Sequence, residues 1–208
     1  MVFTNTELKE KDYYNRFCNE ILNICADKNT DIVINNEGLK NYIHNIYPSY
    51  NFISSTTKCL NEQDLKEELN KDYKMVCLDY NLNKNKTMLE SLNKKQRSKC
   101  EFLVNAICNP ACPYRKNHYR LNSIFYLNYG KEYKMDGCNI IYGILHPTMI
   151  NSKNNLTIEE IKNYYIPNNF NHFKLEGRSL SWTENLCNYI RYMVKPEYQL
   201  YVITELLR

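Results

Sequence analysis

Short apolar runs alternate along the chain with stretches of helical period. The runs Val2-Phe3-Thr4, Asp31 to Ile34, Asn51 to Ser55, Met75 to Leu78, Glu101 to Val104 and His172 to Leu175 read as strands. Ile140-Ile141-Tyr142 is a weaker extended stretch. Between them, Asp12 to Ala26 repeats its apolar positions at helical spacing, with Tyr14, Phe17, Cys18, Ile21, Leu22 and Cys25 on one face. Gly38 to Ile46 predicts a short helix stopped by Pro48, and Asn61 to Leu69 a helix capped by Asn61. Lys86 to Leu92 is helical, and so is Ile158 to Tyr164, opened by the capping signature Thr157-Ile158-Glu159-Glu160. Thr183 to Val194 predicts a last helix stopped by Pro196, with Trp182, Leu186, Tyr189, Ile190 and Met193 as packing residues.

Strands this short and apolar, each followed by a helix, are the pattern of parallel β/α units. The expected fold is α/β, a TIM-like (β/α) barrel formed by one domain over residues 1–208. No glycine-rich phosphate loop follows the first strand, which argues against a nucleotide-binding Rossmann unit. About six strands are visible against the eight of a complete barrel. The expectation is therefore an incomplete or N-terminally shortened barrel, with self-association or a partner chain supplying the missing part.

Composition narrows the class. A hydrophobic content of 43% fits a folded chain, and the 19 tyrosines reconcile it with a mean hydropathy of -0.62. The abundant asparagine and lysine are given no functional weight. The net charge of +4 is scattered among acids, which argues against a nucleic-acid surface. No run reaches the length of a membrane span, and the N-terminus has no signal-peptide pattern, so a cytoplasmic protein is expected. In that setting the nine cysteines read as reduced thiols, some of them ligands, and Cys25, Cys77 and Cys187 as buried ones.

Sites of parallel β/α folds lie past the C-terminal ends of strands. The polar residues there are Asn5, Asn35, Asn36, Ser55, Thr56, Lys58, Asp79, Asn81, Asn83, Asn105, Glu176 and Arg178. The densest feature is an irregular loop broken by Pro110 and Pro113, running from Asn105 through Cys108, Cys112, Arg115 and His118 to Tyr119. Two thiols in such a loop are placed as ligands or as a redox pair, and Arg115 is expected to favour the thiolate. Cys138 follows at a distance suited to a remote ligand. Further on, Lys174 and Glu176 alternate with Phe173 and Leu175, so the two charges share the inner face of a barrel strand, where they must be paired or used. Glu176, Arg178, Arg115 and His118 are the candidate catalytic set, with Asn105, Asp79 and Lys174 as cofactor-binding positions. Arg115 and Arg178 together would suit an anionic small molecule.

These segments resemble the collagenase-like peptidases, U-type peptidase family thirty-two, and their clostridial-type relatives. The resemblance rests on Asn105 followed by Cys108, Cys112, Arg115, His118 and Tyr119, and on Lys174, Glu176, Gly177 and Arg178. It extends over Ser54 to Lys58 and Leu78 to Asn81. It implies a TIM-like barrel and, in several members, oxygen-independent hydroxylation of RNA bases or ubiquinone precursors with a four-iron four-sulfur cluster. By position, Cys108, Cys112 and Cys138 would be cluster or metal ligands, and the Cys-rich tail of the family has no counterpart here. The alternative is a non-catalytic barrel fragment acting as a binding or structural module.

Overall fold

The structure, a computed structural model, describes residues 1–106, 108, 110–128, 130, 153–177 and 181–206. Six strands form one sheet: β1 (Val2–Phe3), β2 (Asp31–Ile34), β3 (Asn51–Ser54), β4 (Met75–Cys77), β5 (Cys100–Leu103) and β6 (His172–Lys174). Each strand pairs in parallel with the next in sequence, and the order β1-β2-β3-β4-β5-β6 never reverses. Among the described residues the fold is therefore α/β with an all-parallel sheet and no switch point. No helix among the described residues is long and apolar enough to cross a membrane.

The connecting helices are α1 (Arg16–Cys25), α2 (Glu37–Ile46), α3 (Glu62–Asn70), α4 (Lys86–Ser91), α5 (Lys94–Arg97), α6 (Arg115–Leu127), α7 (Ile158–Glu160), α8 (Trp182–Met193) and α9 (Pro196–Leu206). Asparagine has a structural task at five of their N-termini. Asn15, Asn36, Asn61, Asn85 and Asn93 each accept a hydrogen bond from the backbone N–H three residues on, covering a donor the helix leaves unpaired. Thr157 and Glu160 form the expected capping box at α7.

Both faces of the sheet are covered. Ile32, Ile34, Phe52, Val76, Leu78, Cys100, Phe102 and Val104 join Leu22, Leu39, Ile43, Leu65, Leu69, Met88 and Leu89 in the core beneath the helices. The residues that alternate with them, Ile53, Cys77 and Leu103, point the other way and are also buried. Phe173 and Leu175 pack on the helix-side core. Lys174 belongs to the opposite face, where its Nζ lies 3.0 Å from Glu101 Oε2.

Several expectations need correction. The irregular segment after β5 does not run through Arg115 and His118, because both lie in α6. Pro196 opens a new helix as well as ending the old one, since the first helical position needs no N–H. Tyr14 and Phe17 are exposed, the chain making a 3-10 turn at Glu10–Tyr14 before α1 begins. Trp182, Tyr189, Met193 and Cys187 are exposed too, so the apolar face of α8 is only partly packed. The extended stretch at 140–142 lies outside the described residues.

A buried ion network joins β3 to α2 and α3. Ser54 Oγ donates to Glu68 at 2.5 Å, Lys58 Nζ reaches Glu68 at 2.5 Å and Glu37 at 2.6 Å, and Lys71 Nζ reaches Glu68 at 2.6 Å. Burial pushes the Glu68 carboxyl up, but the hydrogen bonds from Lys58, Lys71 and Ser54 outweigh it and leave it below the ordinary range. A depressed carboxylate stabilises the fold above its unfolded pKa of about 4.3, and that contribution fades as pH falls through the lower folded value. Glu68→Gln is therefore expected to cost about 1.5–3 kcal/mol at neutral pH and to flatten the acid limb of stability below about pH 4. Urea denaturation at a series of pH values measures both; an unchanged acid limb would count against this network.

Candidate functional site at the C-terminal rim

Parallel pairing puts every strand's C-terminal end at one edge of the sheet. Asn5, Asn35, Thr56, Asp79, Asn105 and Glu176 all leave the sheet at this edge. Hydrogen bonds tie neighbouring strand ends together. Asn35 Nδ2 donates to Thr57 Oγ1 at 2.9 Å, and Thr56 Oγ1 donates to the Leu78 carbonyl at 2.9 Å. Asn105 uses both ends of its amide on the backbone of Glu176: Nδ2 donates to the carbonyl at 2.8 Å, and Oδ1 accepts from the N–H at 2.7 Å. The side chain thus extends the β5–β6 ladder past its last strand residue. This is a bracing role for a residue expected to bind a cofactor.

Helix α6 lies across the rim. Its first residue, Arg115, binds the ends of β3 and β4. Eight residues on, about 12 Å along the axis, Ser123 Oγ accepts from the Thr6 N–H at 2.9 Å, and its carbonyl accepts from Asn5 Nδ2 at 3.1 Å. The helix therefore bridges the ends of β3 and β4 to that of β1.

Arg115 is only 4% exposed. Its Nη1 donates to Asp79 Oδ2, its Nη2 to Thr56 Oγ1 at 3.1 Å and to Tyr119 Oη at 3.2 Å, and its Nε to Tyr119 Oη at 3.3 Å. The guanidinium carbon also sits 3.8 Å from the centre of the Tyr80 ring. Burial alone would lower its pKa, but Tyr119, Asp79 and Tyr80 reverse the direction and hold the proton. Asp79 in turn accepts the N–H of Asn81 at 2.9 Å, starting the turn that carries Tyr80. Arg115 thus holds strand ends and α6 together.

The loop between β5 and α6 is pinned at Ala111, whose N–H donates to Asn81 Oδ1 at 2.9 Å with a left-handed φ of 53°. The Cys108 thiol lies within hydrogen-bonding reach of both the Tyr80 hydroxyl and Cys112. Burial pushes this thiol up, helped by Cys112; Tyr80 and Arg115 pull the other way without overcoming it. The expected thiolate is thereby corrected: Arg115 acts in the predicted direction, but desolvation is stronger. Burial also raises Cys59, whose thiol feels both Arg115 and Asp79. It pushes Tyr119 up to about 12, with Glu176 adding to the rise and Arg115 opposing it. Burial lowers His118, which is therefore neutral at neutral pH, its ring stacked beside Tyr119 at 6.3 Å.

Of the expected site residues, the structure brings together Asp79, Arg115, Cys108 and Cys112, with Glu176 close enough to influence Tyr119. Lys174 pairs with Glu101, a residue in the body of β5, so its charge is engaged below the rim. Cys138 and Arg178 lie outside the described residues. Among the described residues no three His, Cys, Asp or Glu side chains form a group that could hold a metal ion. Reading strand ends did not single out Tyr80, the cation-facing ring, or Ser123, the far anchor of α6. No protein-family model, no curated protein and no solved structure matches the chain.

Proposed function

We propose that the chain is a β/α-barrel-type protein whose working site is the thiol pair Cys108–Cys112 on the Arg115–Asp79 platform, and that the pair binds a thiophilic metal ion. The observation that carries this reading is the meeting of the two thiols beside the Tyr80 hydroxyl. Among the described residues two thiols meet at this site, and a four-iron four-sulfur cluster takes four thiolates, so the reading rests on a single metal ion. A protonated, desolvated thiol is a poor free nucleophile, which disfavours peptidase chemistry at Cys108. A metal ion removes that obstacle, because coordination deprotonates the thiol. The barrel-type reading is supported by the sequential strand order. Right-handed crossovers in one direction place all connections on one face, and the opposite face is buried at Ile53, Cys77 and Leu103, as the inside of a curved sheet would be.

The test is anaerobic purification followed by iron, zinc and sulfide analysis, then titration of the metal-free protein with zinc. The expected result is bound metal or zinc uptake that falls at least tenfold in affinity in Cys108→Ser and Cys112→Ser, a loss of about 1.4 kcal/mol or more. Wild-type protein that holds no metal and takes up none would overturn the proposal. The second reading, a non-catalytic binding module, is favoured by a different observation: Lys58, Arg115 and Lys174 are each held by a carboxylate of the chain itself.

A further inference from the structure

The C-terminal helices α8 and α9 present apolar surface that the described residues leave uncovered. Trp182, Leu186, Tyr189 and Met193 recur along α8 at steps of four, three and four residues, which keeps them on one stripe. Trp182, Tyr189 and Met193 are exposed, Met193 by 73%. The helix α9 goes further: Tyr198, Leu200, Tyr201, Ile203 and Leu206 are all exposed, Leu200 by 77%, and none of its residues is buried. A helix with apolar side chains around most of its circumference is one that something else surrounds. An isolated helix of 11 residues is itself marginal in water. Yet α9 is tied to α8, because Gln199 Nε2 donates to the Val194 carbonyl at 3.1 Å and to those of Ile190 and Arg191 at 3.4 Å.

We infer that the α8–α9 face is the interface of a two-fold homodimer, its occupant the same face of a second copy of this chain. Two features point to a second copy. The first is the stripe on α8. A spacing of four, three, four reads the same in both directions, so two such helices can pair antiparallel about a two-fold axis. Trp182 then meets the other copy's Met193, and Leu186 meets its Tyr189. A closed two-fold interface requires this self-complementarity. The second is area. With roughly 150–250 Å² for each large side chain, scaled by exposures that run from 38% at Ile203 to 77% at Leu200, the eight exposed residues offer on the order of 900 Å², against about 800 Å² per partner in a stable interface. The two pairs of helices would assemble as a four-helix layer, with α9 covered by its counterpart. The inference does not depend on the thiol site, since neither helix contributes a residue to it.

The test is the mass of the full chain by light scattering after size exclusion, at micromolar concentrations. The expected value is twice the 24.9 kDa of one chain. Met193→Glu and Leu200→Glu each place a charge on an exposed position, so each should keep the circular dichroism spectrum and shift the mass to that of one chain. A wild-type protein of single-chain mass overturns the inference, whether or not another molecule covers the face. So does a dimer that survives both substitutions, or an open-ended assembly.

Discussion

Replacing Arg115 by Met is expected to cost about 3–5 kcal/mol, because it leaves Asp79 as an unpaired buried carboxylate. For a chain of this size that is a fall in melting temperature of roughly 6 to 20 °C. The cause is specific to the geometry. Asp79 is buried, and Arg115 is the cation paired with it. The same substitution removes the donors to Thr56 and Tyr119 and the cation over Tyr80. Arg115→Lys should recover little, since a compact ammonium cannot reach Asp79, Thr56 and Tyr119 at once or stack flat on a ring. The double variant Arg115→Met/Asp79→Leu should be more stable than Arg115→Met alone, because it removes the stranded charge with its partner. Thermal and urea denaturation of the four proteins measure this. If Arg115→Met melted within a degree or two of wild type, Arg115 would be no brace, and its guanidinium would be open to a ligand.

What the sequence disclosed and what it hid follow from how each element is held. Strands β2 and β4 were legible because each is a short, largely apolar run, a composition that burial on both faces of a parallel sheet demands, whereas β6 was legible from the alternation of Phe173 and Leu175 with Lys174 and Glu176. Helix α6 was not legible, and its contacts explain why. The two residues it buries are Arg115 and Ser123. Its seat on the rim is thus polar, and no apolar stripe marks it. Nor does a capping side chain, since Tyr114 caps the helix without a side-chain hydrogen bond. On α8 the reverse happened. The apolar stripe predicted packing, but periodicity reports which face is apolar and says nothing of what covers it. At the site, Asn105 and Asp79 were recognised as strand-end polar residues. Whether such a residue meets a ligand or the chain's own backbone depends on the neighbouring strand, and Glu176, just past β6, lies 71 residues away from Asn105 in sequence. The direction of Arg115's effect on the thiols followed from charge alone, whereas the burial that outweighs it is a property of the folded loop.

The second large effect is expected at Phe102, in the middle of β5. Its side chain is fully buried, and its ring centre lies 5.0 Å from Tyr165, 5.4 Å from Phe170 and 6.0 Å from Phe173. The first two contacts are edge-on and the third is stacked, the arrangements that aromatic rings favour. Phe173 is also its register partner on β6, so the cluster joins the last two strands from the helix side. Phe102→Ala removes a ring that nothing nearby can replace without moving a strand, and the expected cost is about 3–5 kcal/mol. Out of a total of about 5–15 kcal/mol, that threatens the fold itself. The consequence should reach the rim, because the Asn105–Glu176 brace continues the same β5–β6 pairing. Hydrogen exchange separates this from general destabilisation. Val104 and Glu176, whose amides bond across β5 and β6 at 3.0 and 2.7 Å, should lose more protection than Val33, whose amide bonds to the Met1 carbonyl at 2.8 Å on the far side of the sheet. A cost below about 1.5 kcal/mol, or equal losses of protection at both ends of the sheet, would show that the aromatic cluster does not hold β6 in place.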